Sequence, residues 1–135
     1  MVIVFASVLI YSGCVYDYPV LSDKFSAIQK QTLTPRCSAA SCHGDGTNGP
    51  YLVLLPDSSY TQLLYHIIQN TTKISQYPRL VVPFHPDSSY LVYKLTLPQN
   101  NDVDGAYMPN DNRGHLPQDQ IDAIISWIKR GAPND

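Results

Sequence analysis

The chain has 135 residues, a length that suits one domain with a substantial buried core. Its formal net charge is −2 and its sequence pI is near 6.0, which argues against the basic surface of a nucleic-acid-binding protein and against a polybasic membrane patch. Charged residues make up 15% and apolar residues 44%, and 11 residues are proline, so the composition indicates a folded, loop-rich globule rather than a disordered chain.

The N-terminal segment differs from the rest of the chain. Residues 1–11 are apolar and uncharged, too few to span a bilayer, and typical of the hydrophobic part of a signal peptide. A serine and a glycine then precede Cys14, an ending similar to the lipobox of bacterial lipoproteins, where this cysteine is lipidated. We expect residues 1–13 to be a lipoprotein signal peptide, 14–21 a linker and 22–135 the folded domain. The alternative is an ordinary buried strand or helix at the N-terminus.

The chain has three cysteines, an odd number that needs an explanation in an exported protein. If Cys14 carries a lipid, Cys37 and Cys42 remain, and His43 directly follows Cys42. A Cys-x-x-Cys-His run is typical of c-type haem attachment, in which each thiol adds to one vinyl group and the adjacent imidazole reaches the iron. Here the spacer is longer, residues 38–41, and all of its side chains are small. We expect the extra length to form a tight bulge while the adjacency of Cys42 and His43 is kept.

Three other uses of this motif compete with haem attachment. Cys37 and Cys42 can form a disulfide in an exported protein. They can bind zinc with His43, although zinc usually takes four ligands and the sequence has no second cysteine pair. They can form a redox dithiol, although such sites favour a two-residue spacer.

Met108 is the candidate for a second axial ligand. Haem iron in electron carriers is usually held by Met or His opposite the proximal His. The chain has two methionines, and Met1 would leave with the signal peptide. Met108 lies in residues 97–115, a stretch without helical or strand periodicity, and loops this long in compact domains are usually functional or disordered. A methionine that fills a gap in the core is the alternative.

The chain has three further histidines. His66 lies on the apolar face of a predicted helix beside Leu63, where we expect it to be partly buried. His85 lies in a predicted turn and His115 closes the long loop. Either of these two is an alternative distal ligand to Met108.

Apolar periodicity predicts four helices, and no segment shows sustained alternation of apolar and polar residues. The repeated segment Pro-Asp-Ser-Ser-Tyr, at 56–60 and 86–90, is interpreted as two helix starts with Asp or Ser as the cap. Ser22 is the expected cap of the first helix, and Gly131 ends the last one. The predicted helices run near Ser22–Leu33, Ser58–Gln69, Ser88–Leu95 and Pro117–Arg130.

These landmarks follow one another in a recognisable order. They are Cys37 through Cys42-His43, then Val81-Val82-Pro83, then Pro86 to Leu95, then Tyr107-Met108-Pro109, then Leu116 to Pro133 with Trp127 between. In this order, residues 22–135 resemble the class I cytochrome c-like domains of bacterial periplasmic and surface lipoproteins. The resemblance implies an all-α fold of about four helices with long loops around one covalent haem c.

The resemblance also implies roles for particular residues. His43 would be the proximal ligand and Met108 the distal one. The first and last helices would cross, which brings Phe25 near Trp127. A backbone carbonyl in the Gly49-Pro50 segment would hold the other nitrogen of the proximal imidazole, an interaction that fixes the ring and raises its basicity.

Arg36 and Arg79 are candidates for binding a haem propionate. The implied function is that of a mono-haem, one-electron carrier, not an enzyme, which exchanges electrons with redox partner proteins. The implied location is outside the cytoplasm, in the periplasm or on the cell surface, where a lipid on Cys14 would hold the protein to a membrane. Two alternatives stay open: a haem enzyme or ligand sensor in which Met108 is labile, and a non-haem lipoprotein with a disulfide between Cys37 and Cys42.

Overall fold

The computed structural model of the chain describes residues 21–46, 51–68, 75–98 and 106–135. Within these ranges the fold is helical and has no strand, with a single isolated β-bridge between Arg79 and Ser89. The predicted all-α class is therefore confirmed for the part that the structure describes. The predicted signal peptide and lipidated Cys14 lie outside the described residues, and no helix inside them is long and apolar enough to cross a membrane.

Four helices form the described fold, close to the predicted positions. The first, α1, covers residues 25–36 without a break and changes its hydrogen-bond spacing twice along its length. It begins as an α-helix at Phe25–Ile28, becomes a π-helix at Gln29–Leu33 and returns to an α-helix at Thr34–Arg36. The other helices are α2, Ser59–Tyr65; α3, Tyr90–Thr96, which follows a 3-10 turn at Pro86–Ser88; and α4, Gln118–Lys129.

Helix α1 extends beyond its predicted end at Leu33 and includes Pro35. Pro35 has no N–H and its ring crowds the carbonyl four residues earlier, so it normally disrupts a helix. Here a wider π turn comes directly before it, and the N–H of Thr34 reaches back to the carbonyl of Gln29. The helix therefore continues past Leu33 and delivers Arg36 to the cysteine motif.

The start of α1 is not capped by Ser22, so that prediction is wrong. The N–H of Phe25 donates to Oδ1 of Asp135 and the N–H of Ser26 donates to the backbone oxygen of Asp135, both at 2.9 Å. A residue from beyond α4 thus satisfies two of the unpaired donors at the start of α1.

Both Pro-Asp-Ser-Ser-Tyr segments precede helices, as predicted, but none of their side chains caps a helix. Ser59 and Ser89 are fully buried instead. The hydroxyl of Ser59 donates to Gln29 on α1, and that of Ser89 donates to the carbonyl of His85 at 2.8 Å. Ser59 therefore joins α2 to α1, and Ser89 holds the turn that precedes α3.

Helix α2 is shorter than predicted. It ends at Tyr65 because the backbone of His66 is extended, with φ −63° and ψ 131°. The chain then turns so that Ile68 packs into the core. The apolar periodicity predicted a helix to Gln69, but of residues 66–68 only Ile68 is buried, while Ile67 is 76% exposed.

The core contains the predicted contact between α1 and α4. The rings of Phe25 and Trp127 have centroids 5.2 Å apart, and Trp127 is completely buried. Helix α4 ends at Lys129, and Gly131 terminates it as predicted, with a φ of +94°; the N–H groups of Gly131 and Ala132 donate to the carbonyls of Ile128 and Trp127. The crossing of α1 and α4 therefore forms one side of the domain and leaves the ends of α1, α2 and α3 to surround a cavity.

Candidate functional site

The four residues predicted to hold a haem all line one cavity of about 550 Å³. They are Cys37, Cys42, His43 and Met108. This volume lies within the range of about 300–1,000 Å³ that is usual for cofactor sites. Most of the remaining wall is apolar, with side chains from α1, from α3 and from the segments between them: Leu33, Leu52, Leu54, Ile68, Leu80 and Leu91.

The cysteine–histidine segment follows α1 directly and folds into a closed turn. The N–H of Cys37 donates to the carbonyl of Leu33 at 2.8 Å, which continues the helical path to the first thiol. The N–H of Cys42 donates to Ala39 at 2.8 Å, and the N–H of His43 donates to the carbonyl of Cys37 at 3.0 Å. The long spacer is therefore a compact bulge, and the second thiol and the imidazole return to the same cavity as the first thiol.

Gly44 completes this turn by close backbone packing. A Cβ atom at this position would lie 2.5 Å from the carbonyl oxygen of Ser38 and 2.8 Å from the carbonyl carbon of Ala39. Both neighbours are backbone atoms that cannot move aside without opening the turn. The residue after His43 therefore has to be glycine for this bulge to form.

The imidazole of His43 is held by the segment that follows the turn. Its Nδ1 lies 3.2 Å from the carbonyl oxygen of Leu52, and since a carbonyl only accepts, Nδ1 carries the proton. Nε2 of the neutral ring is then left with a free lone pair. Burial lowers the pKa of His43 below its ordinary value, and the hydrogen bond to Leu52 opposes that shift.

The predicted carbonyl partner of His43, in the Gly49-Pro50 segment, lies outside the described residues. In the described structure the partner is Leu52. The N–H of Leu54 also donates to the carbonyl of His43 at 2.8 Å, so two hydrogen bonds connect this segment to the histidine. The predicted kind of interaction is found, at a residue two positions further along.

A buried polar group on α1 anchors the same segment. Nε2 of Gln29 donates to the carbonyl of Leu54 at 3.2 Å, and the hydroxyl of Ser38 donates to that carbonyl at 2.5 Å. The other end of the amide accepts from the hydroxyl of Ser59 on α2. Gln29 therefore holds α1, α2 and the wall behind the imidazole in one arrangement.

Both Cys37 and Cys42 are free thiols in the structure. Burial raises the pKa of Cys37 to about 12, although the positive charge of Arg36 acts in the opposite direction. The Cys37 thiol is therefore protonated at neutral pH. Within the described ranges, no three side chains of His, Cys, Asp or Glu are grouped so as to hold a metal ion by themselves.

Met108 reaches the cavity from the loop between α3 and α4. Its N–H donates to the carbonyl of Lys94 at 2.9 Å, and its side chain packs against the hydrophobic core. Neither alternative distal ligand is among the residues that line the cavity. His85 is exposed, and the ring of His115 packs against Tyr107 with centroids 4.4 Å apart.

His66 is a cavity residue that the sequence did not single out as functional. Its Nδ1 lies 3.0 Å from Oε1 of Gln62, and its Nε2 is buried without a hydrogen-bond partner among the described residues. One imidazole nitrogen is thus held and the other is unpaired, the same arrangement as in His43. In the sequence, the spacing of three residues between Leu63 and His66 indicates that His66 is partly buried, but it does not indicate that His66 lines a cavity.

The two arginines predicted to bind a propionate have different surroundings. Arg36 lines the cavity, but its guanidinium contacts Asp111 at 2.8 Å and the carbonyl of Gly114 at 2.8 Å. Arg79 is exposed and is not among the lining residues. Of the two, only Arg36 is positioned at the cavity, and it already has anionic and carbonyl partners.

Comparison of the chain with protein-family models, with curated proteins and with solved structures found no match. The class that the described residues define is an all-α domain with one largely apolar cavity lined by two thiols, two imidazoles and a thioether.

Proposed function

We propose that the chain is a mono-haem c-type cytochrome with a class I cytochrome c-like fold, and that it carries single electrons. Haem c would be attached through Cys37 and Cys42, with His43 and Met108 as the axial ligands. The observation that carries this proposal is the cavity itself. Cys37, Cys42 and His43 line it together with the thioether of Met108, which comes from a distant part of the chain.

The donor set of the cavity suits this cofactor. Thiols are the groups that form thioethers with vinyl carbons, and His43 has its Nδ1 held by Leu52, which leaves Nε2 as the ligand atom. A second imidazole at the cavity is also unpaired. The buried Nε2 of His66 has no partner in the described structure, and an unsatisfied buried polar atom costs about 1–3 kcal/mol. Because Nδ1 of this ring donates to Gln62, Nε2 is an acceptor, and a hydrogen-bond donor or a metal ion at this atom would remove that cost.

The bound haem would supply one-electron exchange between Fe(II) and Fe(III). The protein side chains set the conditions for that exchange. A thioether ligand such as Met108 raises the reduction potential, and the apolar wall of leucine and isoleucine side chains limits access of water. If both His43 and Met108 held the iron, no coordination site would be left for a substrate, which favours a carrier over an enzyme.

The proposed location is outside the cytoplasm, in the periplasm or at the cell surface, with the domain held to a membrane by a lipid on Cys14. The proposed partners are redox proteins, and no nucleic acid is expected because the net charge is −2. Covalent haem attachment and a lipid anchor are independent expectations and can be tested separately.

The deciding experiment is expression of the full chain, with its N-terminal segment, in a host that exports it and attaches haem. The denatured protein is reduced in alkaline pyridine, and we expect the absorption of one covalent haem per chain. Replacing both Cys37 and Cys42 with Ala should abolish this absorption. Cys14→Ser is the matched cysteine control, which should keep the haem and move the protein from the membrane fraction to the soluble fraction. A wild-type chain without covalent haem in this host would refute the proposed cofactor.

A further inference from the structure

A cluster of one carboxylate and two guanidinium groups joins the end of α1 to the loop that carries Met108. We propose that Asp111 is a positioning residue that holds this loop, and with it Met108, against the cavity. The part of this inference that concerns an iron ligand rests on the proposed function. The part that concerns the loop rests on contacts alone.

Asp111 contacts both arginines with both of its carboxylate oxygens. Arg36 donates from Nε to Oδ2 at 2.8 Å and from Nη2 to Oδ1 at 3.2 Å, a bidentate pair. Arg113 donates from Nε to Oδ2 at 2.8 Å and from its backbone N–H to Oδ1 at 3.1 Å. Bidentate arginine–carboxylate pairs are directional as well as strong, so this cluster fixes the orientation of the loop relative to α1.

The same arginines also bind the backbone of the opposite segment. Nη2 of Arg36, at the end of α1, donates to the carbonyl of Gly114 at 2.8 Å. Nη2 of Arg113, in the loop, donates to the carbonyl of Pro35 at 2.9 Å. The end of α1 and the loop are therefore joined both by the contact between Arg36 and Asp111 and by these hydrogen bonds to backbone carbonyls. Asp111 is the acceptor common to both arginines.

The position of the cluster connects it to the site. Arg36 directly precedes Cys37, and Asp111 lies three residues after Met108. Before Asp111, two hydrogen bonds to Lys94 connect the loop to α3. The N–H of Met108 donates to the carbonyl of Lys94, and Nζ of Lys94 donates to the carbonyl of Ala106. Asp111 supplies the corresponding attachment after Met108, on α1.

The pair of Arg36 and Asp111 is largely shielded from solvent, with side-chain exposures of 12% and 13%. Exposed ion pairs contribute little, because water and salt screen them. Hydrogen bonds between charged groups are stronger than those between neutral groups, and shielding from water strengthens them further. Loss of the Asp111 charge should therefore weaken the bidentate contact that holds the loop to α1.

The chain contains a matched cluster away from the cavity. Arg130 donates to Asp23 at 2.9 Å and to Asp135 at 3.1 Å, which joins α4 to the segment before α1. Neither Arg130 nor its partners line the cavity. Asp23→Asn is therefore a control that removes an arginine–carboxylate contact without touching the Met108 loop.

The first test is hydrogen–deuterium exchange of the full chain in the wild type, Asp111→Asn and Asp23→Asn. This readout does not depend on haem. We expect amides of residues 106–116 to exchange at least roughly tenfold faster in Asp111→Asn, the effect of about 1.4 kcal/mol, and to be unchanged in Asp23→Asn. Arg113→Gln, at a mostly exposed side chain, keeps the claim testable if Asp111→Asn does not fold, and should give a smaller increase in the same amides.

The second test uses the chain with covalent haem. We expect Asp111→Asn to weaken the charge-transfer absorption of the ferric iron–thioether bond and to lower the reduction potential, with partial recovery in Asp111→Glu. Unchanged exchange in residues 106–116 would overturn the proposal as a whole. Faster exchange with an unchanged thioether absorption and potential would overturn the positioning of Met108. A wild-type chain that lacks covalent haem contradicts the proposed function alone, and the exchange result still decides whether Asp111 holds the loop.

Discussion

The N–H of His43 donates to the carbonyl of Cys37 at 3.0 Å, so the first thiol-bearing residue and the histidine are joined through their backbones. A spacer of four residues instead of two would otherwise separate the two thiols by additional chain length. Because residues 38–41 fold back as a closed bulge, the extra residues do not displace the second thiol or the imidazole from the cavity. The irregular spacing of the motif is therefore compatible with one shared site.

Gly44→Ala should open this bulge. The added Cβ would lie 2.5 Å from the Ser38 carbonyl oxygen, so the turn has to shift as a whole. We expect a loss of about 1–3 kcal/mol in the free energy of unfolding, as for other overpacked sites, measured by urea denaturation, together with loss of covalent haem attachment. Gly46→Ala is the comparison, because an alanine is strained at its φ of +74°, but the nearest atom to the added Cβ is a side-chain methyl of Val53 at 3.1 Å. That variant should lose stability and retain haem; equal loss of attachment in both would contradict the role of the turn.

Much of the helical fold could be predicted from apolar periodicity, because each of the four helices buries one apolar face in the core and that face repeats with helical spacing in the sequence. The contact between Phe25 and Trp127 followed from the resemblance and is confirmed. The extension of α1 through Pro35 could not be predicted, because it depends on a local π turn. The end of α2 at Tyr65 was also missed, because Ile67 continues the helical spacing of apolar residues in the sequence, although the backbone is extended at His66 and Ile67 is exposed.

The motif residues of the candidate site could be found from the sequence because their chemistry is unusual. The contacts that hold these residues in place could not be predicted from the sequence. The carbonyl of Leu52 has no side-chain signal, and its pairing with His43 depends on the path of the chain after the turn. The pairing of Arg36 with Asp111 joins residues far apart in sequence, and only the fold brings them together.

Ser59→Ala should destabilise the fold through an unpaired amide oxygen. Ser59 is fully buried, and its hydroxyl is the donor to Oε1 of Gln29, which is itself 7% exposed. We expect a loss of about 1–3 kcal/mol in the free energy of unfolding, measured by urea denaturation. Ser58→Ala is the adjacent control, since the Ser58 hydroxyl only donates to Leu55 at 3.4 Å, and it should change stability by less than about 0.5 kcal/mol. Equal effects of the two substitutions would show that the Ser59–Gln29 contact contributes nothing specific.

The stability of the domain should fall in acid, and Asp111 should account for part of the fall. Hydrogen bonding to Arg36 is the main reason that the pKa of Asp111 lies well below its ordinary value of 3.8. A carboxyl whose pKa is lower in the folded state stabilises the fold above its unfolded pKa, and this contribution is lost as the pH falls towards the folded pKa. The difference in Tm between wild type and Asp111→Asn should therefore be present at pH 6 and shrink by pH 3. A difference that is constant across this range would mean that the charge of Asp111 does not contribute.

His66 should replace Met108 when the thioether is removed. Both side chains line the same cavity, and His66 has its Nδ1 held at 3.0 Å from Gln62 with its Nε2 unpaired, as a ligating imidazole requires. In the haem-bearing chain, Met108→Ala should therefore keep a low-spin spectrum of the kind given by two imidazoles and should bind added imidazole weakly. Met108→Ala combined with His66→Phe should become high-spin and bind imidazole at least roughly tenfold more tightly, the effect of about 1.4 kcal/mol. Met108→Ala combined with His115→Phe is the control and should behave as Met108→Ala alone, because His115 packs on Tyr107 and is not among the cavity residues. Identical spectra for Met108→Ala with and without His66 would exclude His66 as the replacement ligand.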